Sequence, residues 1–449
     1  MSKQKIQLSD HFDYGRLLRF VLPCIGTMLF TSIYGIVDGL CVSNFVGKTA
    51  FAAVNLIMPV PMLIGSVGFM LGTGGSAIVG ITLGEGDREK ADRYFSLFVW
   101  TALSAGIVLS AIGVFAVRPA AALLGAKGEM LDYAVRYGRI LMISLPTFIL
   151  QNMFQSFFVT AEKPQLGFAF TVAAGVTNMV LDIVLVGMLQ GGVEGAAIAT
   201  FISQAVGGVL PVFYFLNKKS SCCIHLGRTQ WSGTVLRNAC INGSSELMTN
   251  LSMSLVNILY NYQLLRFAGE NGVAAYGVIM YAAFLFVAVF VGYAVGSAPI
   301  VSYHYGARNH AELHNLYTKS LRLIGVVAVL MTALSMVIIP YVARIFVGYD
   351  ADLLELTSHA FRVYALNFFI MGFNVYGSSF FTALGDGVTS ALISFLRTLL
   401  FQLLALILLP MVLDIEGVWL AVTVAEAGAL CVTVLMFIKK DKVFHYREG

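Results

Sequence analysis

The 449-residue chain is 58% hydrophobic and only 12% charged, with a mean hydropathy of +0.82. Soluble domains carry roughly 25% charged residues, so this composition defines a polytopic membrane protein and excludes a soluble one. The net charge of +4 is spread over loops and argues against nucleic-acid binding.

The charged segment Met1–Arg16 does not read as a cleaved signal, and the first helix is expected to act as a signal anchor. Apolar runs long enough to span a bilayer follow at Leu17–Val42, Ala50–Thr73, Phe95–Val117, Ile140–Thr160, Leu166–Met188 and Gly195–Leu216. The polar stretch Asn217–Gly233 reads as a linker. Six more runs lie at Ala239–Leu264, Val273–Val301, Leu321–Val342, Ala360–Thr382, Val388–Leu413 and Val418–Ile438. The expected fold is an all-α protein of 12 transmembrane helices. Its divisions are a lobe at 1–216, a cytoplasmic linker at 217–233 and a lobe at 234–449.

The halves repeat at an offset of 222–223: Phe45-Val-Gly47 matches Phe267-Ala-Gly269, and Gly84 matches Gly306. Phe157-Phe158 matches Phe380-Phe381, and Val193-Glu-Gly195 matches Ile415-Glu-Gly417. Six helices per half give both halves one topology, related by a pseudo-two-fold axis along the membrane normal, with substrate held between them. With the N-terminus cytoplasmic, inner segments carry 19 of the 28 basic residues and outer loops 8, so both termini are expected inside.

Intramembrane ionisable residues are few: Asp38, Asp182, Glu246, Arg397 and Glu426. In helix 1, Thr27, Thr31, Tyr34 and Asp38 fall at i, i+4, i+7 and i+11 and share one face, beyond the break expected at Pro23. Helix 5 repeats the pattern with Thr171, Gly175, Asn178 and Asp182. Both helices run outward, so the two acids reach the same outer level, where Thr200 of helix 6 also lies. Such oxygens bind a hard cation such as Na⁺, or the carboxylates bind protons. Two carboxylates about 6 Å apart at an effective dielectric of about 20 repel by roughly 3 kcal/mol, so an ion or proton should accompany them. The competing reading is a satisfied polar contact that fixes helix packing.

The offset places Tyr260 opposite Asp38 and Leu404 opposite Asp182, so the second half lacks the acidic pair. Its own charges are Glu246, Arg397 and Glu426, which are candidates for substrate contact or ion pairing. An isolated guanidinium in hydrocarbon is costly, so Arg397 is expected to pair with Glu246 or Glu426. No Walker motif, HExxH or His/Cys metal spacing occurs, so neither ATP drive nor a cofactor is expected, and no metal beyond a transported Na⁺ at Asp38 and Asp182.

These residues resemble multidrug and toxic-compound extrusion (MATE) transporters over the full length. The resemblance rests on the six-plus-six repeat, Pro23 with Tyr34 and Asp38, and the GEGDREKA loop. It rests equally on Asn178 with Asp182, on Thr200, and on PIVSYHYGA from Pro299. The Asn–Asp pair points to the DNA-damage-inducible branch, which includes Gram-positive multidrug pumps. The resemblance implies a V-shaped two-lobe fold, functional as a monomer in a bacterial cell membrane. It implies export of cationic, often aromatic compounds in exchange for Na⁺ or H⁺ by alternating access. A polar network at Tyr34, Asp38, Asn178, Asp182 and Thr200 is implied, with a further amide from either Asn152 or Gln155. One departure is Glu162 in AEKP, where the family has glycine; Leu384–Asp386 keeps the family pattern. The alternative is a lipid or oligosaccharide flippase of the same broad superfamily, disfavoured because only Arg397 offers an intramembrane cation.

Overall fold

A computed structural model describes residues 6–447, with the side chains of residues 38–44 and 48 outside the description. Helices dominate, and their ends follow from local chemistry. Helix α1 (Tyr14–Phe45) starts where Asp13 accepts the Arg16 N–H at 2.7 Å and carries Pro23 inside. Pro59 then divides α2 (Lys48–Ile57) from α3 (Pro59–Gly84), at the first-turn position where a missing N–H costs nothing. Helix α4 (Arg88–Leu123) is capped by Asp87. Helices α5 (Gly128–Ile143) and α6 (Leu145–Thr160) form one span bent by 57° before Pro146. Helix α7 (Pro164–Leu181) widens into a π turn at Asp182–Met188, and α8 (Gly192–Leu216) completes the first bundle.

After the linker come α9 (Gly233–Asn242) and α10 (Ser244–Gly306). The sequence predicts two spans across α10, and a single backbone break at Gly269 (φ 60°) separates them. Sixteen residues of straight helix would cover about 24 Å. Instead the Tyr260 and Tyr276 rings stack with centroids 4.7 Å apart, and the Tyr276 hydroxyl donates to Asn257 at 3.0 Å. The element therefore folds back on itself as two antiparallel spans. The second bundle continues with α11 (His310–Val347), α12 (Ala351–Ala365), α13 (Phe368–Ala383) and α14 (Gly387–Phe395). A second π turn at Leu396–Leu400 leads to α15 (Phe401–Leu408) and α16 (Pro410–Phe444), itself broken at Asp414. Taken span by span, the described residues make twelve crossings in two lobes.

Left-handed backbone positions recur in register between the halves. Gly47 and Gly269, Gly86 and Arg308, and Gly192 and Asp414 are each separated by 222 residues, and Glu162 and Gly385 by 223. The repeat is thus one of turn geometry as well as residue type. Only glycine adopts this region freely; a residue with a Cβ there costs on the order of 1 kcal/mol, which Glu162 bears.

One apolar core draws on residues from Ala50 to Ala239 and a second on residues from Val256 to Val422. A third joins Leu8–Cys24 to α10, α11, α13 and the C-terminal Tyr446, at the end of the molecule that carries both termini. There the bundles meet backbone to backbone. A Cβ on Gly74 would overlap the Ala239 carbonyl, on Gly84 that of Tyr303, on Gly243 that of Met70 and on Gly306 that of Ile81. Gly292 likewise faces the Ile25 backbone. The described glycines of the first half of α3, Gly65 and Gly68, approach Phe148 and Ile149 of their own bundle instead. Gly306→Ala is expected to destabilise this arrangement by about 1–3 kcal/mol, the usual cost of overpacking. Gly35→Ala, with open space around it, should leave the melting temperature unchanged or raised. Thermal unfolding in detergent compares the two.

Candidate substrate cavity and cation site

Gly175 lets α1 lie close against α7, because a Cβ there would run into the Phe30 ring and touch the Tyr34 ring. One turn further along α7 stands Asn178, 1% exposed, with no hydrogen-bond partner for its amide oxygen or nitrogen among the described residues. Asp182 follows on the same face, fully buried, as the first residue of the π turn. π turns concentrate at functional sites because the widened turn displaces side chains and frees backbone groups. On α1, Thr31 is half-buried with its hydroxyl inaccessible and unbonded among the described residues, and Tyr34 is half-buried against α7. Asp38 lies outside the described residues.

The remaining candidates divide. Thr200 on α8 is half-buried and spends its hydroxyl proton on the Ala196 carbonyl at 3.0 Å, which leaves its lone pairs for a cation. Gln155 on α6 lines a small gap with Cys24, Thr27 and Met28, so it faces α1 below the level of Tyr34. Asn152 is buried, with its amide nitrogen unbonded among the described residues.

A cavity of about 270 Å³ lies between the bundles. The first bundle contributes Thr73, Ser76 and Ser156, and the second most of the wall, including all three of its intramembrane charges. Arg397 donates from Nε to Glu426 Oε1 at 2.7 Å. Asn374 donates to Glu426 Oε2 at 2.7 Å and accepts from the Thr433 hydroxyl at 2.8 Å. Their side chains are 12% and 2% exposed for Arg397 and Glu426, so the pair is closed within the wall. Glu246 lines the same cavity and has no ion pair among the described residues. The same cavity wall carries Met253, Met280 and Met371, the stacked Tyr260 and Tyr276, and Phe284. Methionine and aromatic side chains adapt to varied apolar shapes and attract cations to their faces. Asn374, Tyr276 and Tyr364 were not distinguished in sequence. A neutral polar residue inside an apolar run was the available signal for Asn374; the tyrosines carried none beyond their type.

Two parallel repeats of six helices around a central cavity are an architecture used by membrane transporters. The MatE family model matches the chain once in each half, at residues 23–184 and 247–407, and the chain belongs to that family. It is 22% identical to the multidrug export protein MepA of Staphylococcus saprophyticus, over 95% of this chain and 94% of the relative. To MepA of Staphylococcus aureus strain MSSA476 it is 21% identical, again over 95% and 94%. Its fold matches an outward-facing multidrug resistance MATE transporter of the MOP superfamily. That match has a TM-score of 0.92 at 23% identity, covering 99% of each chain.

Proposed function

We propose that this protein exports lipophilic organic cations across a bacterial cell membrane in exchange for Na⁺ or H⁺, by alternating access. The observation that carries the reading is the cavity between the bundles, whose wall combines aromatic and methionine side chains with a carboxylate, Glu246, that forms no ion pair within 4 Å among the described residues while Arg397 of the same wall is paired with Glu426. A bound organic cation completes that charge. The MepA relatives are export proteins by name, which supports the same direction of transport. The flippase alternative needs free cations for phosphate, and Arg397 is already committed to Glu426.

In this reading residues 1–216 form the coupling lobe, 217–233 a cytoplasmic linker and 234–449 the substrate lobe. Tyr34, Asp38, Asn178, Asp182 and Thr200 hold the coupling ion, with Gln155 the amide nearer to α1 and Asn152 behind it. The excess of Lys and Arg sets both termini in the cytoplasm. The joined end of the bundles then faces inward and the cavity opens outward. The protein acts as a monomer.

Purified protein in liposomes with imposed Na⁺ or H⁺ gradients tests this with a cationic aromatic dye. One gradient should drive dye against its own concentration difference. Equal dye flux with and without either gradient would exclude coupled export. Glu246→Gln should weaken dye binding about tenfold, the worth of one charge-assisted contact, and leave a neutral dye of similar shape unaffected.

A further inference from the structure

The end of the cavity nearest α9 has a chemistry of its own. A Cβ on Gly74 of α3 would meet the Ala239 carbonyl and the Gly243 nitrogen, and Asn242 donates to the Thr382 carbonyl of α13 at 2.8 Å. The start of α10, with Glu246, therefore sits by the stretch of α3 that carries Thr73 and Ser76. The stretch of α13 that carries Ser379 adjoins it too. Thr249 stands one turn after Glu246 on the same helix face. Glu246 and these four hydroxyls all line the cavity.

Each of the four spends its proton on a backbone carbonyl. Thr73 donates to Phe69 at 2.9 Å, Ser76 to Thr73 at 3.0 Å, Thr249 to Ser245 at 2.8 Å and Ser379 to Ala294 at 3.2 Å. A hydroxyl so used has only lone pairs left to offer. Of the serine and threonine side chains in the wall, Ser156 alone makes no hydrogen bond among the described residues. The wall's amide donors lie elsewhere. Asn257 is about 16 Å of helix beyond Glu246, and Gln402 follows Arg397 into α15. Arg397 itself is paired with Glu426. One end of the cavity thus gathers a carboxylate and four acceptor oxygens.

We propose that this end selects cations that carry N–H groups over quaternary ammonium. The class comprises primary and secondary ammonium, amidinium and guanidinium. The proposal rests on the organic-cation reading and names the head group within it. An N–H cation hands protons to the carboxylate and to the oxygens around it, each a charge-assisted bond. A quaternary ammonium of equal charge desolvates the same oxygens and returns only weak C–H contacts. Tyr260, stacked on Tyr276 still further along α10 than Asn257, leaves the aromatic end for the apolar remainder of the molecule.

Fluorescence titration of the full chain in detergent tests this with a matched pair of dyes. One aromatic fluorophore carries a primary ammonium on a short tether, and its twin carries trimethylammonium there. Both hold one positive charge at pH 7. The ammonium dye is expected to bind about tenfold more tightly, the worth of one hydrogen bond to a charged group. Thr73→Val combined with Thr249→Val keeps shape and removes two acceptor oxygens, so the affinity ratio should fall to near one. Thr73→Ser restores the oxygen and should keep the wild-type ratio, which separates hydrogen bonding from head-group size. Back-bonded hydroxyls add little to their helices, so melting temperatures should hold. Ser379→Ala, on another helix, should lower the ratio as well and serves if the double variant does not fold. Glu246→Gln reads the charge separately and should weaken both dyes. A wild-type ratio near one, or a ratio that neither the paired change nor Ser379→Ala moves, overturns the head-group selection. The organic-cation reading then stands if Glu246→Gln still weakens both dyes. If Glu246→Gln weakens neither, that reading falls and the proposal with it.

Discussion

Asp182→Asn is expected to abolish gradient-driven efflux, lowering the rate at least about a hundredfold, while the protein folds normally. The carboxylate is fully buried at a π turn, beside an Asn178 amide with open hydrogen-bonding capacity among the described residues. Replacing the acid by its isosteric amide keeps shape and removes both the charge that attracts a cation and the site that carries a proton. Loss of a buried charge also removes a desolvation cost, so the melting temperature should hold or rise. Dye binding at equilibrium should persist, since the cavity lies between the bundles. Asp38→Asn should behave alike, and the double variant little worse than either, because both disable one site. Retention of wild-type ion dependence by Asp182→Asn at normal abundance would show that coupling resides elsewhere. A ligand binding one packing of the lobes better than the other is what converts an ion gradient into work on the drug.

Arg397→Ala should be among the most damaging single changes to stability, at about 3–5 kcal/mol, because it strands Glu426 without its cation inside the wall. Asn374 would then be the carboxylate's remaining side-chain hydrogen-bond donor among the described residues. The paired change Arg397→Met with Glu426→Leu should recover most of the loss, since apolar groups of similar volume often replace a buried pair at no cost. Thermal unfolding of the wild type and these two variants decides the matter. A double variant as unstable as Arg397→Ala alone would mean that the two residues do more than neutralise each other.

Hydropathy and the 222-residue repeat carried the architecture, because span length and turn position are local properties. Less was legible where the structure depends on distant partners. The reversal at Gly269 is readable in the polar interruption Arg266–Gly272 between two apolar runs, but the Tyr260–Tyr276 stack that joins the two spans is not. Either Glu246 or Glu426 fitted Arg397 by sequence; the choice depends on how α16 packs on the π turn at Leu396–Leu400, which no local pattern encodes. Glu162 stands out in sequence as a departure from the family pattern, yet the Leu8 N–H that it accepts lies 154 residues away. The stripes of helices 1 and 5 were readable as faces, and Gly175 shows how closely those faces approach. Asp38 lies outside the described residues, so the acid pair itself stands as an expectation.

The glycines along the seam bear on how fast such a machine can run. Where Gly74, Gly84, Gly243 and Gly306 meet facing carbonyls, the contact is backbone on backbone, beside a third core in which side chains of both bundles do pack together. Interdigitated apolar side chains would have to withdraw from one another and expose surface at about 25 cal/mol per Å² before two bodies could part. The close backbone approach at these four glycines avoids that work locally, since Cα–H···O contacts of the kind it permits are worth only about 0.5–1 kcal/mol each. In the proposed alternating-access cycle, these glycine contacts would lower the barrier to parting along their stretch of the seam.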